Sequence, residues 1–193
     1  MKVFLFLYPI REYVNACIEN FRCFEHHGCD PKRLNQVIAA RYRAKGYQVG
    51  WLFFSDPGEP LLADLTRTSE HIRIEAEDSV FACGVSFDDH VANKTYPDLD
   101  PIVARLPRPI EYLVLGGFHQ NDCVDKVASA AHSKGIPTFV DEDTTEFFFT
   151  SGSRKIPLVR RRFTLRGFGV TNPTFVGLIL EQRKDKPWFT QEP

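Results

Sequence analysis

Unbroken apolar runs and helix-spaced apolar positions alternate along the N-terminal part of the chain. Residues 3–8, VFLFLY, are all apolar, which predicts a strand covered on both faces, as in a parallel sheet. Apolar side chains at helical spacing predict a helix over 11–24, and helix start and stop signals bracket a second helix over 31–45. The apolar run 47–54, YQVGWLFF, predicts the next buried strand.

The same alternation continues through the middle of the chain. We expect short strands within 72–87, a helix over 100–106, a strand over 110–117, a helix over 122–134 and a strand over 137–142. Strands separated by helices pair in parallel through right-handed crossovers. The predicted fold class is therefore α/β, a three-layer α/β/α sandwich with a mainly parallel, Rossmann-like central sheet.

Length and composition narrow the range of functions. A chain of 193 residues, 43% of them hydrophobic, predicts one domain over 1–193, with a peripheral segment from about 150 onward. A formal net charge of −1 gives no overall field that attracts nucleic acid, so a small-molecule partner is expected. Five cysteines do not indicate a disulfide framework, and no apolar stretch approaches the roughly 20 residues of a membrane span. A cytoplasmic protein without a membrane partner is predicted.

A cysteine stands where a predicted strand turns into a predicted helix, in the stretch LVLGGFHQNDCVDKVASAAHSKG, residues 113–135. Ligands of parallel α/β sheets bind at the carboxyl ends of the strands, and Cys123, Tyr8 and Asp56 all fall at that edge. The start of a helix favours a thiolate, which suits a nucleophile. The alternative is an inert buried thiol, because cysteine packs readily in cores.

The run VLGGFHQNDCV, followed by DKVASAAHSKGIPTFVDED, resembles the signature of the isochorismatase-like cysteine hydrolases, the superfamily of nicotinamidase, isochorismatase and N-carbamoylsarcosine amidase. In that signature a strand ends in glycine, a short loop follows, and a Cys-Val pair opens an alanine-rich helix. Upstream, NKTYPDLDPIVARL resembles the segment that carries the family's lysine, which corresponds to Lys94 here. The resemblance covers about residues 92–143.

This resemblance implies a hydrolase that acts on an amide or related C–N bond of a small molecule, without a cofactor. Cys123 would be the nucleophile, and Lys94 would hold the thiolate close to a catalytic acid. The backbone N–H groups of Cys123 and His119 would stabilise the oxyanion of the tetrahedral intermediate. The family's cis peptide bond would fall between Phe118 and His119.

The position of the family's catalytic aspartate, at the end of the first strand, is occupied by Tyr8. A phenol with a pKa near 10 is a poor general base at neutral pH, so either Glu12, Asp56 or another acid supplies the carboxylate or the hydrolase chemistry is lost. Tyr8, Asp56, Phe118 and His119 are expected to form the oxyanion and substrate site. The second hypothesis is therefore a catalytically silent small-molecule binding protein, whose pocket an aromatic content of 13% could line.

Two groups of residues could hold a divalent metal ion, and we expect neither to do so. Asp56 and His71 follow the second strand, where some family members bind a cation, but the clustered histidines of those members are missing. The other group lacks the paired ligand spacing of zinc sites. Its members are Cys17, Cys23, His26, His27 and Cys29.

Basic residues are concentrated between Arg154 and Arg166, where six of thirteen residues are Lys or Arg. A solvated face or a contact between subunits is the simpler interpretation, and it favours a homo-oligomer. An anion-binding patch, including one for nucleic acid, is the alternative.

Overall fold

A computed structural model describes residues 1–19, 31–145, 148–151, 154–157, 181 and 183–189. The strands are β1 (Lys2–Leu7), β2 (Gln48–Phe53), β3 (Ser55–Asp56), β4 (Glu59–Ala63), β5 (Ser79–Ala82), β6 (Tyr112–Gly117), β7 (Thr138–Thr145), β8 (Phe148–Ser151) and β9 (Arg154–Pro157). The α-helices are α1 (Arg11–Glu19), α2 (Pro31–Val37), α3 (Phe87–Asn93), α4 (Leu99–Arg105) and α5 (Asp125–Ser133).

Five strands form the central sheet in the order β5-β2-β1-β6-β7, and all four pairings are parallel. The chain runs outward from β1 to β2 and β5, crosses back to β6 and continues to β7. Because such crossovers are right-handed, the two directions place helices on opposite faces, and α4 packs against α5 on one of them. The predicted three-layer α/β/α class is confirmed.

Strand β1 lies at the centre of the core because both of its faces are covered. Five of its six residues are buried. Phe4 stacks on Tyr42 with 3.9 Å between the ring centroids, and Phe6 packs against Trp51 of β2 at 5.4 Å. The apolar run 3–8 therefore behaves as expected for a strand of a buried parallel sheet.

The helix predicted over 31–45 is divided in the structure. Helix α2 is followed by a π-helical turn, Ile38–Tyr42, and then by a 3₁₀ turn. Gly46, with a φ of 74°, ends the segment as the sequence indicates. The hydroxyl of Tyr42 donates a hydrogen bond to Asp141 of β7 at 2.5 Å, which joins the π turn to the sheet.

The region between β2 and β6 differs most from the sequence-based expectation. Residues 55–63 form the antiparallel hairpin β3–β4, although SDPGEP, residues 55–60, is typical of a loop, and 72–76 contain no strand. Helix α3 was not predicted, although Ser86 accepts a hydrogen bond from the Asp89 N–H as its N-cap. Both β4 and α3 expose most of their side chains, so neither shows the apolar periodicity that marks a buried element.

In the tail, β8 and β9 form an antiparallel pair. Farther along, Arg183, Trp188 and Phe189 are buried against the domain. Most of the basic stretch 154–166 lies outside the described residues, so the single-domain and homo-oligomer expectations stay predictions. Within the described chain, no helix is long and apolar enough to cross a membrane.

Candidate functional site

The candidate site lies where the strand order of the central sheet reverses, between the carboxyl ends of β1 and β6. In open α/β sheets this reversal opens a crevice in which ligands bind. Tyr8 follows β1 there with a φ of 58°, and Gly117 ends β6 with a φ of 104°. Tyr8 and the segment leading to Cys123 therefore meet at the edge that the sequence indicates.

Gly117 allows β6 to leave the sheet directly across the end of β1. A Cβ atom at this position would lie 2.2 Å from the carbonyl oxygen of Leu7 and 2.5 Å from its nitrogen. Phe118 donates its N–H to that same oxygen at 3.1 Å. The peptide bond between Phe118 and His119 is cis, as the family resemblance implies.

Cys123 lies in a π-type turn, Gln120–Val124, that leads into α5. The carbonyl oxygen of His119 accepts hydrogen bonds from the N–H groups of Asp122 and Val124 at 3.0 and 3.2 Å. The helix predicted over 122–134 thus begins with a π-type turn, which is wider than a turn of α-helix. Cys123 is 5% exposed, so the turn keeps the thiol inside the protein.

Burial raises the pKa of the Cys123 thiol from its ordinary value of 9.0 to about 12. The Asp122 carboxylate raises this pKa further, whereas the Lys126 ammonium and hydrogen bonding with Tyr8 lower it. Loss of water around the charged form outweighs both lowering effects. This direction is opposite to the expectation that the start of a helix favours the thiolate, because burial removes water from around the charged form.

Tyr8 occupies the position of the family's acid and faces two thiols. Its hydroxyl forms hydrogen bonds with the sulfurs of Cys83 and Cys123, and its ring stacks on Phe54 at 4.2 Å. Burial and the two nearby thiols raise the pKa of Tyr8 well above its ordinary value. The phenol therefore makes hydrogen bonds here but is not a base at neutral pH. Cys83, which follows β5, was missed because nothing local connects it to this edge.

The structure does not bring the expected lysine or a replacement acid to the thiol. Lys94 is exposed at the end of α3, where its Nζ donates to the Val91 carbonyl oxygen at 3.1 Å. Glu12 pairs with Arg67 at 2.6 Å, and Asp56 lies half-buried in the hairpin β3–β4. Among the described residues, no carboxylate forms a hydrogen bond with the sulfur.

Lys126 lowers the pKa of the thiol, and the sequence motif does not point to it. Its Nζ lies 2.5 Å from Asp122 Oδ1 and 3.2 Å from the centroid of the Tyr96 ring. The Tyr96 hydroxyl also donates to Asp122 Oδ2 at 3.3 Å. Asp122 and Lys126 are four residues apart, the spacing that pairs side chains on one helix face, and this spacing was the available signal.

Aromatic rings surround the turn. Tyr13 of α1 lies 4.7 Å from His119 and 5.7 Å from Phe118, measured between ring centroids. His90 of α3 lies 5.2 Å from Tyr96. These rings give this edge of the sheet an aromatic lining, and contact of Phe118 and His119 with a ligand stays a prediction.

Of the two candidate metal sites, one lies within the described residues and the other does not. The Nε2 of His71 pairs with Glu70 Oε1 at 3.4 Å rather than with Asp56. Across the ranges that the structure describes, no three His, Cys, Asp or Glu side chains are grouped to hold a metal ion. The cysteine and histidine cluster between Cys17 and Cys29 has its side chains outside the described part of the chain.

Comparisons with known proteins give likeness in structure without a match in sequence. No protein-family model and no curated protein matches the chain. N-carbamoylsarcosine amidase from Thermoplasma acidophilum is 21% identical with a TM-score of 0.49, covering 75% of this chain and 84% of that one. Pyrazinamidase of Pyrococcus horikoshii, solved in complex with zinc, is 11% identical with a TM-score of 0.49, covering 75% and 85%. An isochorismatase family protein is 16% identical with a TM-score of 0.47, covering 75% and 80%.

Tyr8→Phe should make Cys123 less reactive. The substitution removes the hydroxyl whose hydrogen bond lowers the thiol pKa, so alkylation by iodoacetamide at pH 9 should slow by about threefold or more. Stability should fall by about 1 kcal/mol. Tyr47→Phe is the matched control, because it removes a hydroxyl contact with Tyr112, 3.2 Å long, at the opposite edge of the sheet. Equal alkylation rates in the two variants would contradict the assignment of Tyr8.

Proposed function

We propose that this chain is a small-molecule binding protein of isochorismatase-like architecture, with its ligand site at the carboxyl ends of β1 and β6. The observation that carries the proposal is the state of Cys123. Its thiol is buried and hydrogen-bonded to the Tyr8 phenol, and no carboxylate among the described residues is bonded to it. A thiol that keeps its proton can contact a ligand but does not attack it.

The thiol pKa argues against a nucleophile in the resting protein. With a pKa of about 12, roughly one thiol in 10⁵ is ionised at pH 7. Cysteine hydrolysis needs a base that takes this proton. The group that faces the sulfur is the Tyr8 phenol, whose own pKa lies well above 10.0, so it cannot accept a proton at neutral pH.

The groups around the turn favour a neutral ligand with a planar part. Tyr13 and His119 present rings to this edge, and planar groups stack on such rings. The charges of Asp122 and Lys126 cancel, since the two side chains form an ion pair. A strongly charged ligand would therefore lose water at this edge without gaining an opposite charge from that pair.

A cysteine hydrolase acting on an amide or related C–N bond is the second candidate. Lys126 favours it, because its ammonium lowers the thiol pKa. In this mechanism Asp122 would take the thiol proton as substrate binds, and the thiolate would attack the carbonyl carbon. The C–N bond would break as the amine leaves with that proton, and water would then hydrolyse the thioester and regenerate the thiol. The ion pair of Asp122 and Lys126 would then replace the family's acid and its lysine.

Alkylation of Cys123 as a function of pH separates the two candidates. For a thiol with a pKa of about 12, the iodoacetamide rate should rise about tenfold for each pH unit from 7 to 11. At pH 7 it should be at least about 100-fold slower than for the same peptide in the denatured protein. Peptide mapping after timed quenching measures both rates. A rate that levels off near pH 8 would support the hydrolase instead.

Cys123→Ser should lower stability. It should not change hydrolytic activity, because none is expected in the unsubstituted chain. A hydroxyl in this packed site should cost about 1 to 3 kcal/mol, measured by urea unfolding. Cys83→Ser is the matched control, because that buried thiol also faces Tyr8. Ammonia release from pyrazinamide and N-carbamoylsarcosine should be absent in all three proteins. Release by the unsubstituted chain that Cys123→Ser abolishes, with stability retained, would establish the second candidate.

A further inference from the structure

Residues 183–189, near the C-terminus, contact the turn that carries Cys123. Arg183 is 4% exposed, and its Nη2 donates to Gln120 Oε1 at 3.1 Å. Gln120 is 1% exposed, and its Nε2 donates to Thr145 Oγ1 of β7 at 2.6 Å. A buried series of hydrogen bonds therefore joins the tail, the turn and the sheet.

A second contact holds the other end of the same turn. Asp125, the first residue of α5, accepts a hydrogen bond from Trp188 Nε1 at 2.9 Å and forms an ion pair with Lys186. Gln120 and Asp125 stand on either side of Cys123 in the chain. The tail thus contacts the turn both before and after the thiol, through side chains that local sequence does not connect.

We propose that residues 183–189 position the ligand site, with Arg183 as a positioning residue that acts through Gln120. The proposal rests on the proposed function, in which the turn bearing Cys123 contacts the ligand. Arg183 reaches the turn through its hydrogen bond to Gln120, three residues before the thiol. Its guanidinium also lies 4.5 Å from the centroid of the Phe189 ring, so the tail itself holds it in place.

A merely structural role for Arg183 gives a different expectation from a positioning role. Loss of packing alone would lower the melting temperature and leave the folded turn as it is. Loss of positioning would free the turn in the folded protein, so that water reaches the sulfur. Since burial is the largest cause of the high pKa of Cys123, a freed turn should make the thiol more reactive well below the melting temperature.

The test is the rate at which iodoacetamide alkylates Cys123 at pH 9 and 25 °C, followed by peptide mapping. Arg183→Met should raise this rate at least about tenfold, and Arg183→Lys, which keeps a donor for Gln120, should restore most of the original rate. Arg43→Met is the matched control, because Arg43 binds Asp78 near the opposite end of the sheet. It should lower the melting temperature without changing the rate.

An unchanged alkylation rate in folded Arg183→Met, with a melting temperature lowered as in Arg43→Met, would overturn the proposal. Should Arg183→Met not fold, Trp188→Phe decides, because it removes the hydrogen bond to Asp125 and keeps an aromatic ring at the buried position. It should raise the rate about threefold, and an unchanged rate would overturn the proposal equally. The alkylation rate is measured without a ligand. It therefore tests the positioning role of Arg183 even if the chain proves to bind no small molecule.

Discussion

Gly117→Ala should leave little or no folded protein. The added Cβ would lie 2.2 Å from the carbonyl oxygen of Leu7 and 2.5 Å from its nitrogen, both of them backbone atoms of the central strand. Those atoms cannot move without disturbing the pairing of β1 with β6. The φ of 104° adds strain for any residue with a side chain. We expect a loss of more than about 4 kcal/mol, measured by urea unfolding or by the yield of soluble protein.

Gly135→Ala is the control for Gly117→Ala. Gly135 also has a positive φ, 75°, but a Cβ there would meet no atom within 4 Å. The variant therefore carries the backbone strain without the collision and should lose about 1 kcal/mol. Similar losses in the two variants would contradict the collision with Leu7.

After Gly117→Ala, Asp78→Ala should have the largest effect on stability. The Asp78 side chain is 2% exposed and forms an ion pair with Arg43. Its Oδ2 also accepts hydrogen bonds from Trp51 Nε1 at 2.8 Å and from the Glu75 N–H at 3.0 Å. Removing the carboxylate leaves a partly buried cation and a buried indole N–H without their acceptor. We expect a loss of about 3 to 5 kcal/mol in urea unfolding.

Two further variants serve as controls for Asp78→Ala. Asp78→Asn keeps an acceptor oxygen for Trp51 and should lose less than the alanine variant. Asp88→Ala removes another aspartate that contacts an arginine, at 3.3 Å from Arg67, but the Asp88 side chain is 79% exposed. It should change stability by less than about 0.5 kcal/mol. A loss at Asp78 no larger than at Asp88 would show that the buried network is not stabilising.

Local pattern was sufficient for strands that are buried on both faces. The apolar runs 3–8, 47–54 and 110–117 correspond to β1, β2 and β6, with limits that agree within two residues. Such a run has to be covered on both sides, which only a central parallel strand provides. Elements at the surface were missed for the opposite reason, since Leu61 and Leu62 of β4 stand in solvent and give no usable periodicity.

The features of the candidate site also fall into two groups: those that local sequence indicates and those that it does not. The glycine at 117, the cis bond after Phe118 and the turn bearing Cys123 depend on a few adjacent residues, and the motif placed them correctly. Cys83 arrives from β5, and Arg183 arrives from the tail. Neither residue has a local pattern that relates it to the turn.

By itself, the sequence determined where the buried strands lie along the chain, the class of the fold and the edge of the sheet at which Tyr8 and Cys123 meet. Only the tertiary structure decided that the thiol is buried, which raises its pKa, and that Lys126 lowers this pKa while Lys94 lies exposed at the end of α3. The reason is physical. A pKa depends on how much water reaches the sulfur and on which charges lie close to it in space, and these are set by β1, β5 and α5 together.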